Sequence, residues 1–276
     1  MKAARFDYFS AASADEAVSM LQQGAGSGKP LAGSQSLGPM LNLRLARPAS
    51  LVDIARIEAL REVRQEGGAL RIGAAVTHAE IEDGVFPLLR GHPMQSVAER
   101  IAYRAVRNRG TLGGSLAHAD PAADWVLTMA ALGAQIEILG PSGTRRLPMA
   151  GFMLGAYTTD LASDELITAV HVPQVGAGSR WGYYKFCRKT GEFAEASCAA
   201  WFDPDSHVAT VMVGALDGAP QPLPELAGQI AAQGKAALDA LVIAAEVEKI
   251  APGKDAASRR LFVSVIERCL RMALGE

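Results

Sequence analysis

The sequence is short of cysteine, of aromatic residues and of any excess charge, and each shortage removes a class of function. Its three cysteines (Cys187, Cys198 and Cys269) are scattered, with no C-x-x-C. An iron–sulfur cluster normally takes four thiolates, so the chain has too few to hold one by itself. His78, His92, His118, His171 and His207 fall in neither H-x-x-x-H nor H-E-x-x-H, which speaks against a metal site. A G-x-S-x-G elbow is missing as well, which disfavours a serine hydrolase. The 27 basic and 29 acidic residues nearly cancel, and with no basic stripe nucleic acid is not an expected partner. The most apolar stretch, Trp125 to Leu139, is interrupted by Gly133, Gln135 and Glu137 and is too short to span a bilayer. Acidic residues stand near the N-terminus where a signal peptide needs an apolar core. A soluble, globular, cytoplasmic chain with reduced thiols is the expectation.

What the chain does have is a large hydrophobic fraction, 49% of its 276 residues, enough for one large or two modest cores. Ser13 and Glu16 stand at capping-box spacing and open a helix whose apolar face ends at Gly24. Strand-like residues at Pro30–Ala32 and Ser50–Ile54 complete a small β-α-β-like unit. Alternation on either side of Gly67-Gly68 predicts a hairpin, and Thr77 with Glu80 predicts a second capped helix at 78–83. Further helices are predicted around 95–106 and from Asp120-Pro121 to Gly133. A hairpin pairs 135–139 with 144–147, and a strand covers 166–172. Residues 175–179 (VGAGS) form the best linker. Beyond it, strands at 183–188, 194–202 and 208–216 precede helices at 225–233, 236–245 and 256–274, a second α+β region.

Two glycine clusters are the candidates for chemistry. Ala32-Gly33-Ser34-Gln35-Ser36 lies between a strand and a helix, and Thr111-Leu112-Gly113-Gly114-Ser115 precedes the helix expected at Asp120. Glycine lets a backbone approach an anion closely, amide hydrogens converge on it, and the serine and threonine hydroxyls add donors. Two such loops could hold a diphosphate between them, although each alone is more often a plain turn. The run Gly24 to Lys29 glances toward a nucleotide loop. However, it lacks the third glycine of G-x-G-x-x-G, and Pro30 stands where a P-loop needs Ser or Thr.

In combination these motifs resemble one family along nearly the whole chain. They are Phe6 and Tyr8, LAGSQSLGPMLNLRLARPASLVDI (31–54), VRNRGTLGGS (106–115), AHADPAADW (117–125), DELITAVHVP (164–173), YYKFCRKTGEFAEA (183–196) and the closing DAASRRLFVSVIERCLRMAL. The chain resembles the FAD-binding medium subunits of xanthine dehydrogenase-like molybdenum hydroxylases, the carbon monoxide dehydrogenase flavoproteins among them.

The resemblance implies an α+β fold. A two-subdomain FAD-binding domain of the vanillyl-alcohol-oxidase (PCMH) type would cover 1–175, divided into 1–56 and 57–175. A smaller C-terminal domain, 180–276, would carry a three-stranded antiparallel sheet packed on helices. It implies that FAD lies against Ala32, Gly33, Ser34, Gln35, Ser36 and Leu37, and against Thr111, Leu112, Gly113, Gly114 and Ser115. Asp124 would contact the flavin nucleotide, with Lys185 and Ile167 near the cofactor. Phe193 would stand where several relatives carry a tyrosine beside the isoalloxazine, a plain core phenylalanine being the alternative.

Ser34 departs from the commoner glycine and would be strained if the position needs positive φ. No catalytic side chain and no metal ligand are expected here. The molybdenum cofactor would sit on a large subunit and two [2Fe–2S] clusters on a small one, the whole a dimer of heterotrimers. This chain would take electrons from the clusters and pass them to an external acceptor, since flavin accepts electrons singly and releases them in pairs. A self-sufficient FAD oxidase or dehydrogenase, and a non-enzymatic nucleotide-binding protein, stand as the other readings.

Overall fold

The computed structural model describes residues 2–276. The first region comprises β1 (Asp7–Ser10), α1 (Ala14–Gln23), β2 (Gly28–Leu31), α2 (Leu37–Asn42) and β3 (Ser50–Asp53). Its sheet has the order β1-β3-β2 with both pairings parallel. The Ser13 hydroxyl accepts the Glu16 amide, and the Glu16 carboxylate accepts the Ala12 amide at 2.6 Å, so two free donors at the start of α1 are satisfied. Ala17, Val18 and Leu21 form the buried face of α1.

The second region contains β4 (Val63–Glu66), β5 (Ala69–Gly73), α3 (His78–Glu82), α4 (Pro93–Ala98), α5 (Arg104–Arg107), α6 (Leu112–His118) and α7 (Asp124–Ala131). It continues with β6 (Gln135–Gly140), β7 (Gly143–Pro148), α8 (Met149–Phe152), β8 (Met153–Gly155), β9 (Thr158–Thr159) and β10 (Leu166–Pro173). Gly67 and Gly68 both have positive φ in the β4–β5 turn, a conformation side chains resist. An antiparallel sheet of order β4-β5-β10-β6-β7 results, with β10 in the middle and buried from Leu166 to Val172. The full capping box at Thr77 and Glu80 is present.

The last region comprises β11 (Arg180–Phe186), β12 (Ala196–Asp203), β13 (Val208–Gly214), β14 (Gln221–Pro222), α9 (Pro224–Gln233), α10 (Ala240–Ile250) and α11 (Ala256–Ala273). Its antiparallel sheet places Tyr183, Ala199, Trp201 and Met212 in the core of the second region. On its other face Cys198, Ala200, Phe202, Val211 and Val213 pack with the helices. Both faces of β12 are therefore buried along its whole length. The fold is α+β.

Four expectations change. The helix at 95–106 is two, α4 and α5, because Ala102 turns left-handed (φ 43°) and its carbonyl and that of Ile101 are taken by Arg107. Asp120 does not cap a helix starting at Pro121. Its carboxylate accepts the Ala122 amide in a local turn, and the helix begins at Asp124. The helix expected at 236–245 begins at Ala240, where Asp239 caps it. The C-terminal sheet has a fourth, two-residue edge strand, β14.

Glu66, Glu137 and His171 lie close enough to share a cation, but Arg71 and Arg146 already occupy the Glu137 carboxylate at 2.8 and 2.9 Å. Burial pushes Glu137 up. Hydrogen bonds from Arg71, His171 and Thr168 outweigh it and hold the group at about 2.

Two histidines are buried in neutral form. Burial lowers His78 to about 3 and His92 to about 4. The unfolded chain takes up those protons near pH 6.5 while the folded chain refuses them. Stability is complete above that value and is lost as pH falls toward the folded values, by at most roughly 1.4 kcal/mol per pH unit for each group. The urea midpoint should fall between about pH 6.5 and pH 4, before Glu137 titrates. A midpoint unchanged across that window would contradict the burial of both rings as neutral groups.

Candidate functional site

The two glycine clusters meet. Gly33 follows β2, and a Cβ built on it would run into the Arg109 carbonyl and the Gly110 Cα, so only glycine permits this contact. Arg109 also reaches back, its Nε donating to the Gly33 carbonyl at 3.4 Å, and the Gln35 amide donates to the same carbonyl at 2.9 Å.

The loops differ in what they offer a ligand. Among the described residues, the backbone amides from Gly33 through Leu37 donate to no group of the chain. Ser34 sits within this run at φ 61°, the positive φ at which serine is strained, and α2 then begins at Leu37 without a capping hydroxyl. Alternation of right- and left-handed backbone directs successive N–H groups to one side and makes an anion-binding concavity. Gly33 is buried and Ser34 to Leu37 are half-buried, so these donors lie in a recess.

The second cluster is not a loop before a helix but the first turn of α6 itself. Its amides are already committed. Leu112 donates to the Val76 carbonyl at 3.0 Å, Gly113 to Ala74 at 2.9 Å and Gly114 to the Thr111 hydroxyl at 3.1 Å. A Cβ on Gly113 would strike Ala74, which makes Gly113 a packing glycine. Gly114 is exposed and Ser115 half-buried. This turn supplies a closely approachable wall and a hydroxyl, while the backbone donors come from the first loop.

Asp124 and Lys185 come together. Asp124 opens α7, and its Oδ1 accepts Lys185 Nζ at 2.7 Å and the Tyr183 hydroxyl at 2.5 Å. The carboxylate and the lysine side chain are about nine-tenths buried. The favourable position of an acid in a first helical turn is real, but the buried cation is the stronger partner. Burial, with the Asp124 charge beside it, pushes the Tyr183 phenol well above its ordinary value. Tyr183 was not anticipated. It stands two residues before Lys185 on β11, so strand alternation alone places it on the same face.

Ile167 and Phe193 take no part in the Asp124–Lys185–Tyr183 cluster. Ile167 is buried on β10, paired with Ile138 of β6. Phe193 is 62% exposed, which excludes the core alternative. Its segment lies against the ring of Tyr103, beside the Cα of Gly191, just before the helix leading to Arg109.

The profile of the family described as the FAD binding domain in molybdopterin dehydrogenase matches residues 4–175. The chain belongs to that family. Among curated relatives, the carbon monoxide dehydrogenase medium chain of Hydrogenophaga pseudoflava is 37% identical over 84% of this chain and 81% of its own length. The nicotine 6-hydroxylase medium subunit of Paenarthrobacter nicotinovorans is 38% identical over 77% and 75%. Among solved structures, the H. pseudoflava carbon monoxide dehydrogenase lacking the Mo-pyranopterin moiety superposes with TM-score 0.89 at 31% identity, covering 99% of this chain and 98% of that one. Quinoline 2-oxidoreductase from Pseudomonas putida 86 gives 0.87 at 31% identity, with 100% and 99% covered. The chain is thus an FAD-binding oxidoreductase subunit of the molybdenum hydroxylase family, and its domain at 4–175 contains both loops.

Two substitutions test this geometry. Asp124→Asn leaves the Lys185 ammonium buried without its counter-charge and should cost about 3–5 kcal/mol in a denaturant titration. An unchanged midpoint would contradict the pair. Ser34→Gly removes the left-handed strain and should raise stability by about 1 kcal/mol, visible as a higher melting temperature.

Proposed function

We propose that this chain holds FAD with its diphosphate in the Gly33–Leu37 recess, facing the Gly114–Ser115 wall. The observation that carries this reading is the run of unpartnered amides at Gly33–Leu37, closed on one side by the Arg109–Gly110 backbone. Both the close approach and the donors suit two adjacent phosphates. Ala32 and Leu37 bound the recess, Thr111 fixes the turn through the Gly114 amide, and Leu112 and Gly113 anchor it to the sheet. Asp124 Oδ2, left free by Lys185 and Tyr183, is offered to a nucleotide hydroxyl. Exposed Phe193 would lie beside the flavin ring, and Ile167 supports the site from within the core.

FAD, when bound, accepts electrons one at a time and releases two, and the protein's part is to bind, orient and shield it. No nucleophile or general base of this chain is required. In this reading the chain takes electrons from a small subunit with two [2Fe–2S] clusters. A large subunit carries the molybdenum cofactor and selects the substrate, in a dimer of heterotrimers. The relatives named as medium chains, and the P. nicotinovorans 6-hydroxypseudooxynicotine dehydrogenase complex subunit, support a multi-subunit setting.

Residues 1–175, divided at 56, would form the FAD domain and 180–276 the C-terminal domain, joined by residues 176–179, which hold no helix or strand. No helix among the described residues is long and apolar enough to cross a membrane. Cys198 and Cys269, buried side by side as free thiols, favour the cytoplasm. A self-sufficient oxidase is the weaker reading, because both faces of the C-terminal sheet are committed to packing and neither opens as a substrate cavity.

Purified chain should take up one FAD, and Gly114→Val should abolish its retention while the circular dichroism of the fold persists. Full flavin occupancy in that variant would contradict the diphosphate assignment. Copurification with large and small subunits tests the assembly, and recovery only as a partnerless enzyme would contradict it.

A further inference from the structure

His78 lies beneath the second loop and has no part in the reading above. It is the first residue of α3, and its backbone amide donates to the Gly110 carbonyl at 2.9 Å. Its ring is buried, and Nδ1 accepts the indole N–H of Trp125 at 2.9 Å. With Nδ1 occupied as an acceptor, the neutral ring carries its proton on Nε2. That nitrogen faces Gly110 closely enough that a Cβ there would stand 2.7 Å from it. Trp125 follows Asp124 in the first turn of α7, and Gly110 is stacked on Gly33. The contacts run without a gap from the Asp124 turn through Trp125 and His78 to Gly110 and the first loop.

We propose that His78, as the neutral Nε2–H tautomer held by Trp125, is a positioning residue that sets the second loop against the first and ties both to Asp124. This rests on the FAD reading. Two features separate it from an ordinary buried histidine. The ring abuts a glycine at the junction of the two loops, and its acceptor is filled by the residue next to the acid of the site. Burial keeps the ring neutral, and the nearby Arg107 guanidinium, itself paired with Glu82, opposes a second positive charge.

Three variants and one spectrum test the assignment. His78→Phe keeps the volume but removes the acceptor for Trp125. His78→Gln offers an amide oxygen to the indole. Trp125→Phe removes the donor. The rate of FAD loss from the reconstituted chain, read from the return of flavin fluorescence, should rise about tenfold in His78→Phe and less in Trp125→Phe. In His78→Gln it should stay near the wild-type rate. Nitrogen-15 spectra of histidine-labelled apoprotein should show an Nε2–H tautomer that does not titrate between about pH 8 and pH 5.

A folded His78→Phe chain that releases FAD at the wild-type rate would overturn the proposal. So would a glutamine variant as leaky as the phenylalanine one, or a ring that titrates near its ordinary value. If wild-type chain takes up no FAD, the FAD reading itself fails. The apoprotein amide signals of Gly110 and Gly114 then still decide the positioning role: they should shift in His78→Phe and return in His78→Gln, and unmoved signals reject it.

Discussion

Gly33 has no side chain, and the space one would need is filled by the backbone of Arg109 and Gly110. That contact brings two segments some 76 residues apart in sequence into one recess, and the rest of the site is arranged around it. In the first loop the amides from Gly33 to Leu37 meet no acceptor among the described residues. The Gly33 contact also fixes where α6 must start, because Gly110 is held in turn by the His78 amide. The strain at Ser34 belongs to the same constraint. A left-handed residue is needed to aim the donors, and serine occupies the position at a modest cost.

The site divides its tasks between backbone and side chains. The first loop contributes donors, the α6 turn a close wall, and the buried Asp124–Lys185–Tyr183 cluster a fixed carboxylate between two regions of the chain. Because Lys185 and Tyr183 sit on β11, the C-terminal sheet helps to hold the start of α7. Its opposite face is sealed by its own helices.

Much of this was legible in the sequence wherever the determinants were local. Capping residues at Ser13 and Thr77, paired glycines at 67–68 and alternation across β6 and β7 act over a few residues and appear as expected. The strain at Ser34 was legible only through the resemblance, where serine stands in place of the commoner glycine, and its φ of 61° meets the condition for it. What failed depended on distant partners. The α6 amides seemed free because the carbonyls of Ala74 and Val76 that take them come from another segment. The break between α4 and α5 depends on Arg107, which is anchored by Glu82 on α3. Asp120 has a capping residue's chemistry and a proline after it, but spends its carboxylate on a turn and on the Tyr157 hydroxyl.

Amide hydrogen exchange on the full chain, with and without FAD, measures the central claim residue by residue. FAD should slow exchange sharply at Gly33 through Leu37, whose donors have no partner among the described residues. It should change Leu112 to Gly114 little, since those amides are already bonded. Protection at the second cluster with none at the first, or no protection at either, would contradict the account.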